Sequence, residues 1–434
     1  MNQINPPKGT HDIYDLEGVA NQYIETIFSS LCGFYGFSYA QTPIFEHTEL
    51  FERGVGDSSD IVRKEMYTFK DKGDRFITLR PEGTAGIMRA IVSNKLYANT
   101  DLPLKYFYSG EVFRYERPQQ GRFREFHQLG VEEVGVNSIY NDIEVILLGY
   151  SILQTLGLKD VKLKINSLGD KQSRDNYRAA LKDFFSDKID DMCEDCHDRY
   201  NTNPLRILDC KVEHDQEIVR HAPIMRNYLT EKAEADFVET LEVLNAFGIP
   251  YEVDNNLVRG LDYYSGVVFE FHYTSKTGQN YGAIGAGGHY DHLVEEIGGP
   301  ALEGIGFAFG LERLYAVMRD DSLLEGIDEG LDFYVMSVGT KSFTDAFSLL
   351  TSLRASGFKC ESSFDGKGFK QLFKRANRKK AKFAIIIGDD EVDKEVVTIK
   401  NMLTEEQFMV PYAQVIDKAD ELIDELEAHH HHHE

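Results

Sequence analysis

The segment YFYSGEVFRYERPQQGRFREFHQLGVEEV (residues 106–134) concentrates arginine in a chain that is otherwise strongly acidic. The 434 residues carry 47 basic and 72 acidic side chains, a formal net charge of −25, yet positions 114, 117, 122 and 124 of this segment are all arginine. Its pattern predicts two antiparallel strands, 106–116 and 122–134, joined by a turn. Since side chains alternate between faces, one face would carry arginines near the turn and Gln128 and Glu132 further in. That order suits an anion near the turn and a polar or cationic group deeper in the site.

The same segment also fits a surface hairpin, in which Glu111, Glu116 and Glu125 neutralise the arginines. Three other segments favour a ligand site: LRPEGT (79–84), LVRGLDYYSGVVFEF (257–271) and GIGFAFGLER (304–313). Each has a structural explanation of its own, as a helix cap, a core aromatic pair or a surface ion pair. Glycines within a strand, however, often let a ligand approach closely. The glycine spacings match neither a P-loop nor a dinucleotide-binding fingerprint, which argues against both of those nucleotide-binding folds.

Periodicity divides the chain into two domains. Helices are predicted over 18–36 and 139–156, a hairpin over 65–80, and a charged helical insertion over about 172–248. The segment 319–330 is acidic and punctuated by glycine, which is typical of a linker. Beyond it, strands and helices alternate, so we expect a small α/β domain with a largely parallel sheet at 331–428. The final HHHHHE (429–434) has the composition of an expression tag.

Composition also narrows the functional class. So acidic a chain is unsuited to coating nucleic acid non-specifically, because that mode needs a positive surface. The first residues contain no apolar run typical of a signal peptide, and no stretch approaches 18 apolar residues, so no membrane span is expected. Five scattered cysteines fit a reducing cytoplasm better than a disulfide framework.

Two cysteines of the insertion are closely spaced in CEDCH (193–197), and Cys210 follows. Haem attachment would need a secreted protein, and zinc would need a fourth ligand such as His197 or His214. Ordinary reduced thiols are therefore the expected state, and no metal is assigned.

Taken together, these motifs resemble the histidyl-tRNA synthetase family of class II aminoacyl-tRNA synthetases, over nearly the whole chain. Phe113-Arg114-x-Glu116, followed by Arg122-x-x-x-Phe126, matches motif 2, and Gly304-x-Gly306 leading to Glu312-Arg313 matches motif 3. The region ending at Pro43 matches motif 1. LVRGLDYY and GGHYD (287–291) match the two peptides of the histidine-specific subgroup, although the second usually has arginine where this chain has His289. The resemblance implies an α+β catalytic domain (1–325) built on an antiparallel sheet with flanking helices, and a C-terminal anticodon-binding domain.

The resemblance also implies roles for individual residues. Arg259 and Arg114 would be catalytic, at the α-phosphate of ATP. The histidine-binding residues would be Glu82, Gly83, Thr84, Gln128, Glu132, Tyr263 and Tyr264. ATP would be bound by Arg114, Arg122, Phe126 and Arg313. The expected tRNA contacts are Gln119, Lys374, Arg375 and Arg378, the last three from a segment (367–382) with eight basic and no acidic residues.

The activity implied is that of a homodimeric, cytoplasmic enzyme with no membrane partner. It would use ATP and Mg²⁺ to activate L-histidine and would then transfer it to tRNA(His). One alternative is the histidine-sensing regulatory subunit of ATP phosphoribosyltransferase, which resembles the first domain but normally lacks the second. Another is a plain RNA-binding protein built on an inactive synthetase core. The second domain and Arg259 argue against the first alternative, and the intact set of motif residues argues against the second.

Overall fold

The computed structural model describes residues 3–56, 59–98, 101–117, 123–135, 137–258, 261–328, 330–339 and 342–430. The chain divides into two compact units, Met1–Glu325 and Gly326–Glu434. In the described part of the chain, no helix has the length and apolar character that crossing a membrane requires.

The first unit is built on an eight-stranded sheet in the order β1-β5-β6-β11-β10-β9-β7-β8, with a separate three-stranded sheet, β2-β4-β3. The strands are β1 (Ser38–Tyr39), β2 (Phe45–His47), β3 (Thr68–Lys70), β4 (Phe76–Leu79), β5 (Leu104–Phe113), β6 (Glu125–Val134), β7 (Lys162–Ser167), β8 (Tyr251–Val253), β9 (Tyr264–Thr274), β10 (Asn280–Tyr290) and β11 (Gly304–Gly310). Neighbouring strands of the large sheet are antiparallel except at its two edges, where β1 and β8 each join in parallel. The predicted antiparallel sheet is confirmed.

Helices flank this sheet. They are α1 (Asp15–Phe34), α2 (Thr48–Val55), α3 (Thr84–Ser93), α4 (Ile139–Thr155), α5 (Lys171–Phe185), α6 (Glu194–Thr202), α7 (Glu213–Val219), α8 (Glu231–Ala246), α9 (Leu293–Glu296) and α10 (Leu311–Asp320). The two helices predicted over 18–36 and 139–156 correspond to α1 and α4. The start of α4 is fixed by Ser138, whose hydroxyl accepts a hydrogen bond from the backbone N–H of Tyr140.

The arginine-rich segment forms the predicted hairpin. Strands β5 and β6 pair without a bulge, from Leu104 opposite Val134 to Phe113 opposite Glu125. Residues that face each other in this register, such as Tyr106 and Glu132, share one face of the sheet. The turn at 118–122 lies outside the described residues.

Helices α5 to α8 form the insertion between the parallel neighbours β7 and β8. Its core contains Tyr177, Leu181, Phe185 and Cys196, all fully buried, and is continuous with Val268 of β9. The insertion therefore shares a hydrophobic core with the central sheet.

The second unit contains a five-stranded sheet in the order β13-β12-β14-β15-β16. Its elements are β12 (Phe333–Val338), α11 (Ser342–Ala355), β13 (Cys360–Ser362), α12 (Phe369–Arg378), β14 (Phe383–Gly388), α13 (Asp389–Asp393), β15 (Val396–Asn401), β16 (Gln407–Pro411) and α14 (Val415–His430). Only β13, β12 and β14 are parallel, so the expectation of a largely parallel sheet is wrong for half of its pairings. The connections after β14 are too short for the crossover that parallel neighbours need.

The predicted start of the linker, at residue 319, lies within the last turn of a helix of the first unit. Helix α10 continues to Asp320. The next residue, Asp321, accepts hydrogen bonds from the Tyr273 hydroxyl (2.6 Å) and from the backbone N–H of Lys276 (2.8 Å), both of the first unit. The acidic composition of this segment therefore reflects contacts within the first unit as well as a connection.

Candidate active site

A cavity of about 120 Å³ opens on one face of the large sheet, beside the start of α3. Its lining comes from six separate segments of the chain and includes Glu82, Thr84, Tyr108, Arg114, Gln128, Glu132, Tyr263, Tyr264 and Tyr290. Seven of these nine residues are among those that the sequence indicated. The cavity therefore brings the LRPEGT, arginine-hairpin and LDYY segments together.

Glu132 lies at the bottom of this cavity, with 1% of its surface exposed. Its carboxylate accepts hydrogen bonds from the hydroxyls of Thr84 (2.7 Å), Tyr290 (2.9 Å) and Tyr108 (3.4 Å). Burial raises the pKa of Glu132 to about 8. Over the described residues, the hydrogen bonds to this carboxylate come from hydroxyl groups and no ion pair to it is recorded, so a cationic ligand would relieve its desolvation.

Glu82 stands at the entrance to α3. Its two carboxylate oxygens accept hydrogen bonds from the backbone N–H groups of Thr84 and Ala85, both at 2.8 Å. Burial raises the pKa of Glu82, against the opposing effect of these bonds and of the Arg114 charge. Two buried carboxylates, Glu82 and Glu132, thus face one small cavity and favour a ligand that carries positive charge.

Gln128 and the tyrosines complete the polar lining. The side-chain oxygen of Gln128 is buried and has no hydrogen-bond partner among the described residues. The rings of Tyr263 and Tyr264 lie 4.6 Å apart, and that of Tyr263 is 5.8 Å from Tyr290. A donor group on a ligand would satisfy the Gln128 oxygen, and the tyrosine rings line the same cavity.

Arg114 lies at the mouth of the cavity. Its Nε donates to the carbonyl of Pro81 (2.8 Å), which fixes the side chain, and its guanidinium lies 5.4 Å from the centre of the Phe126 ring. The position of Arg114 favours the ligand-site interpretation of the hairpin over the surface one.

The Glu312-Arg313 pair opens helix α10, directly after β11. Arg313 donates to the carbonyl of Ala283 (2.6 Å). Glu312 is buried and accepts from the backbone N–H of His127 (3.0 Å) and contacts its Nδ1 (2.8 Å). Glu312 therefore fixes β6 to α10.

Several predicted site residues lie outside the described residues or in the second unit. Arg122, Gln119 and Arg259 lie outside the described residues. In the second unit, Lys374 and Arg378 are exposed on α12, whereas Arg375 is paired with Asp365 at 2.7 Å. The proposed tRNA contact of Arg375 would compete with that pair.

Sequence reasoning missed Tyr108 and Tyr290, which hold Glu132. Glycines make room for both rings: a Cβ on Gly83 would lie 2.1 Å from the Tyr108 ring, and one on Gly304 would lie 2.5 Å from the Tyr290 ring. The sequence signal that could have identified them is that a tyrosine in an apolar strand needs a hydrogen-bond partner for its hydroxyl. Gly83 itself, predicted to bind histidine, acts here by admitting Tyr108.

His289 occupies a second buried site. Its Nδ1 lies 2.9 Å from Asp142, and its Nε2 lies 3.1 Å from Glu303 and 3.6 Å from Asp291. Burial alone would lower the pKa of His289, but its interactions with Asp142, Glu303 and Asp291 raise it to about 10. These carboxylates favour the protonated imidazole, which would place a positive charge where the pattern that the chain resembles usually has arginine.

Comparisons with known proteins identify the same family that the sequence motifs resemble. Residues 9–314 match the family model described as histidyl-tRNA synthetase, and residues 332–422 match an anticodon binding domain. The chain is 46% identical over 420 residues to a histidine–tRNA ligase of Lactiplantibacillus plantarum, covering 96% of this chain and 99% of that one. A Bacillus subtilis histidine–tRNA ligase is also 46% identical, over 415 residues covering 95% and 97% of the two chains.

The solved structures agree. The apo histidyl-tRNA synthetase of S. aureus superimposes with a TM-score of 0.82 at 37% identity, covering 96% of this chain and 99% of that chain. The motifs, the antiparallel sheet and the extent of these matches lead to one conclusion: the chain belongs to the histidyl-tRNA synthetase family.

Proposed function

We propose that this chain is a histidine–tRNA ligase and that the cavity around Glu132 receives the side chain of L-histidine. The observation that carries the proposal is the buried Glu132 carboxylate, held by three hydroxyls in a cavity with a second carboxylate. An imidazole N–H would donate to Glu132, and the Tyr264 hydroxyl would serve the other ring nitrogen. A site built to bond both nitrogens rejects apolar side chains of similar size, which would leave its polar groups without partners.

The α-amino group of the substrate would lie between Glu82, Thr84 and Gln128. Its ammonium would donate to the unpartnered oxygen of Gln128 and to the remaining lone pairs of Glu82. This arrangement uses the negative charge of the cavity twice, once for the ammonium and once for the imidazole. It would also point the substrate carboxylate toward Arg114 at the cavity mouth.

ATP would bind at this mouth. Arg114 is fixed by the Pro81 carbonyl, so its remaining guanidinium N–H groups are available to a phosphate at little cost in side-chain entropy. Phe126 and Arg313 would hold the adenine between them, and Arg122 would contact the distal phosphates. Mg²⁺ would enter as the MgATP substrate.

The reaction follows from this placement. The histidine carboxylate oxygen bonds to the α-phosphorus in line as the bond to the β-phosphate oxygen breaks, and pyrophosphate leaves. The 3′-terminal ribose hydroxyl of tRNA(His) then attacks the activated carbonyl, loses its proton and displaces AMP. Arg259 and Arg114 would stabilise charge on the α-phosphate, so that positioning and electrostatics carry the chemistry and no side chain acts as a nucleophile.

The second unit would bind the anticodon arm through the exposed basic side of α12, with Lys374 and Arg378 as phosphate contacts. A homodimer in the cytoplasm remains the expected assembly and location. The regulatory-subunit alternative is not favoured, because the curated relatives that match nearly the full length are ligases and because residues 332–422 match an anticodon binding domain.

Amino-acid-dependent ATP–pyrophosphate exchange tests the proposal. We expect exchange with histidine alone among the twenty standard amino acids, and aminoacylation of a tRNA(His) transcript but not of an unrelated tRNA. Comparable exchange with another amino acid would reject the assignment of the cavity. Histidine binding without exchange would instead favour the regulatory-subunit alternative, and neither binding nor exchange would favour an RNA-binding protein.

A further inference from the structure

Three thiols and one carboxylate converge in the helical insertion, away from the proposed histidine cavity. We propose that Cys193, Cys196, Cys210 and Asp215 bind one zinc ion, which holds the insertion together. One sulfur or oxygen atom from each residue lies within 4.8 Å of the others. Thiolate and carboxylate oxygen are both common zinc ligands, and four of them form the usual tetrahedral structural site.

The distances fit a zinc ion. The sulfurs of Cys193 and Cys210 are 3.8 Å apart. With zinc–sulfur bonds of about 2.3 Å at a tetrahedral angle, two ligand sulfurs lie about 3.8 Å apart. The Cys210 sulfur is 3.2 Å from Oδ2 of Asp215, so the carboxylate lies at the same centre.

Local structure holds the four residues in place. Cys193 occupies the N-cap position of α6 and Cys196 lies in its first turn, so both residues of the C-x-x-C pair are at the start of one helix. Cys210 follows the turn Pro204–Asp209, and Asp215 lies in the first turn of α7. A single ion would thus join the ends of two short helices and the turn between them.

Asp215 provides an observation independent of the thiols. Only 1% of its surface is exposed, and its Oδ1 is buried with no hydrogen-bond partner among the described residues. Its Oδ2 accepts from the backbone N–H of Cys193 (3.1 Å), which orients the carboxylate into the cluster. A buried carboxylate oxygen without a partner is costly, and a coordinated cation removes that cost.

The structure changes the assessment that the sequence alone allows. On the sequence alone, a zinc site needs a fourth ligand such as His197 or His214, whereas the cluster contains Asp215 in place of either histidine. A disulfide is the competing chemistry. It would need a sulfur separation of about 2.05 Å, would leave one of three thiols unpaired, and would not satisfy Asp215. None of the five cysteines forms a disulfide in the structure.

The zinc site would support the contact between the insertion and the segment before β3. Arg199 and Arg206 both donate to Asp60 at 2.9 Å, and Asp198 pairs with Arg63 at 2.8 Å. Arg199 and Asp198 lie on α6, whose first turn contains two of the proposed ligands. Loss of zinc should therefore loosen α6 and expose the insertion to proteolysis while the central sheet stays folded.

The test compares zinc content among full-length variants purified in a thiol reductant. The histidine run at 429–433 also binds metal, so every variant carries it and only differences between variants count. Cys210→Ser and Asp215→Asn test the site. The matched controls are Cys360→Ser, which removes a buried thiol of the second unit, and Asp209→Asn, which changes the partly exposed carboxylate next to Cys210.

We expect wild type and both controls to hold one more zinc per chain than Cys210→Ser, measured by inductively coupled plasma mass spectrometry after dialysis. Asp215→Asn should weaken zinc binding by at least the 10- to 100-fold that loss of an outer partner of a metal ligand costs. Cobalt in place of zinc should give the intense tetrahedral and thiolate charge-transfer absorption bands. Chelation should then speed cleavage between residues 186 and 230.

Equal zinc in wild type and Cys210→Ser, or a cobalt spectrum without thiolate bands, would overturn the proposal. A disulfide among these cysteines would overturn the proposal as well. It would lower the mass of the wild-type protein, even when purified in reductant, by about two units. If Cys210→Ser fails to fold, the cobalt spectrum and zinc release on thiol modification, both measured on wild type, decide the question.

Discussion

Glu132 and His289 occupy opposite faces of the same sheet, on either side of β11. Across this strand Glu132 is opposite Gly306, and His289 is opposite Ile305. Both are almost fully buried, and both have shifted pKa values, near 8 for Glu132 and near 10 for His289. Their partners differ: hydroxyls surround Glu132, whereas carboxylates surround His289.

This difference separates a binding site from a structural one. At His289 each charged group has a partner of opposite sign within the protein: the imidazole for Asp142 and Glu303, and Arg174 for Asp291. At Glu132 the described residues offer the carboxylate hydroxyls but no ion-pair partner, and Arg114 lies further off at the mouth of the cavity, so a cationic ligand would lower the cost of ionising Glu132. A perturbed pKa alone marks both sites, and only the partners distinguish them.

The largest effect is expected from removing the cation of the balanced site. His289→Asn would leave Asp142 and Glu303 without their cation beside a cavity of about 150 Å³, while Asp291 would keep its pair with Arg174. Breaking a buried ion pair by removing one partner typically costs about 3–5 kcal/mol. Urea unfolding at pH 7 measures this change in the free energy of unfolding, with a substitution of an exposed histidine, His292→Asn, as the control. A loss below about 1 kcal/mol would show that His289 is not a structural cation.

Removing the charge of the unbalanced site should instead affect function. Glu132→Gln deprives the imidazole N–H of a charged acceptor, worth about 1.5–3 kcal/mol, so kcat/KM for histidine in exchange should fall about 10- to 150-fold. ATP binding by Glu132→Gln should be unchanged. The control is Glu133→Gln, on the opposite face of the same strand, in which histidine activation should stay at the wild-type level. Wild-type histidine activation in Glu132→Gln would contradict the role proposed for this carboxylate.

The same substitution should leave the empty protein more stable above pH 8. Burial holds the pKa of Glu132 above its unfolded value, so the folded wild type loses stability as pH rises from about 4.3 to about 8. Activity and stability would then move in opposite directions, which a general folding defect cannot produce.

The sequence predicts the sheet and most of the cavity because their signals are local. Period-two alternation in 106–134 defines the strands and the face of Gln128 and Glu132, and their register is set by an unbroken hairpin. Tyr290 reaches Glu132 only across β11, a pairing that no local pattern encodes. The meeting of Asp215 with the cysteines is likewise not encoded locally, since it depends on the tertiary structure that brings the start of α7 to the start of α6.

The pH dependence of histidine affinity is a smaller and more specific effect. Bound histidine favours ionised Glu132, whose pKa in the empty cavity is about 8. Binding below pH 8 should therefore release a proton, and affinity should rise with pH by up to about tenfold per unit until pH 8. The ratio of the wild-type affinity for histidine to that of Glu132→Gln, taken at each pH, removes the titration of histidine itself.

Calorimetry in two buffers of different ionisation enthalpy measures the proton released on binding. A ratio of affinities that stays flat between pH 6 and 8 would indicate that Glu132 is already ionised in the empty cavity, or that the complex keeps the proton. Either outcome would weaken the contrast with His289, because the unbalanced charge would then not be coupled to the ligand.

The smallest effect is expected from restoring the residue that the family usually has. In His289→Arg the guanidinium can pair with the same three carboxylates, so stability at pH 6 should stay within about 1 kcal/mol of wild type, and histidine activation within about threefold. The two proteins should diverge as pH rises. The folded pKa of His289, about 10, lies above the unfolded value of about 6.5, so its stabilisation is complete below pH 6.5 and is lost as pH approaches 10. Arginine does not titrate there, so the variant should be the more stable protein at pH 10, which thermal unfolding at both pH values measures. Parallel pH profiles for the two proteins would mean that the imidazole is not the charged group that balances this site.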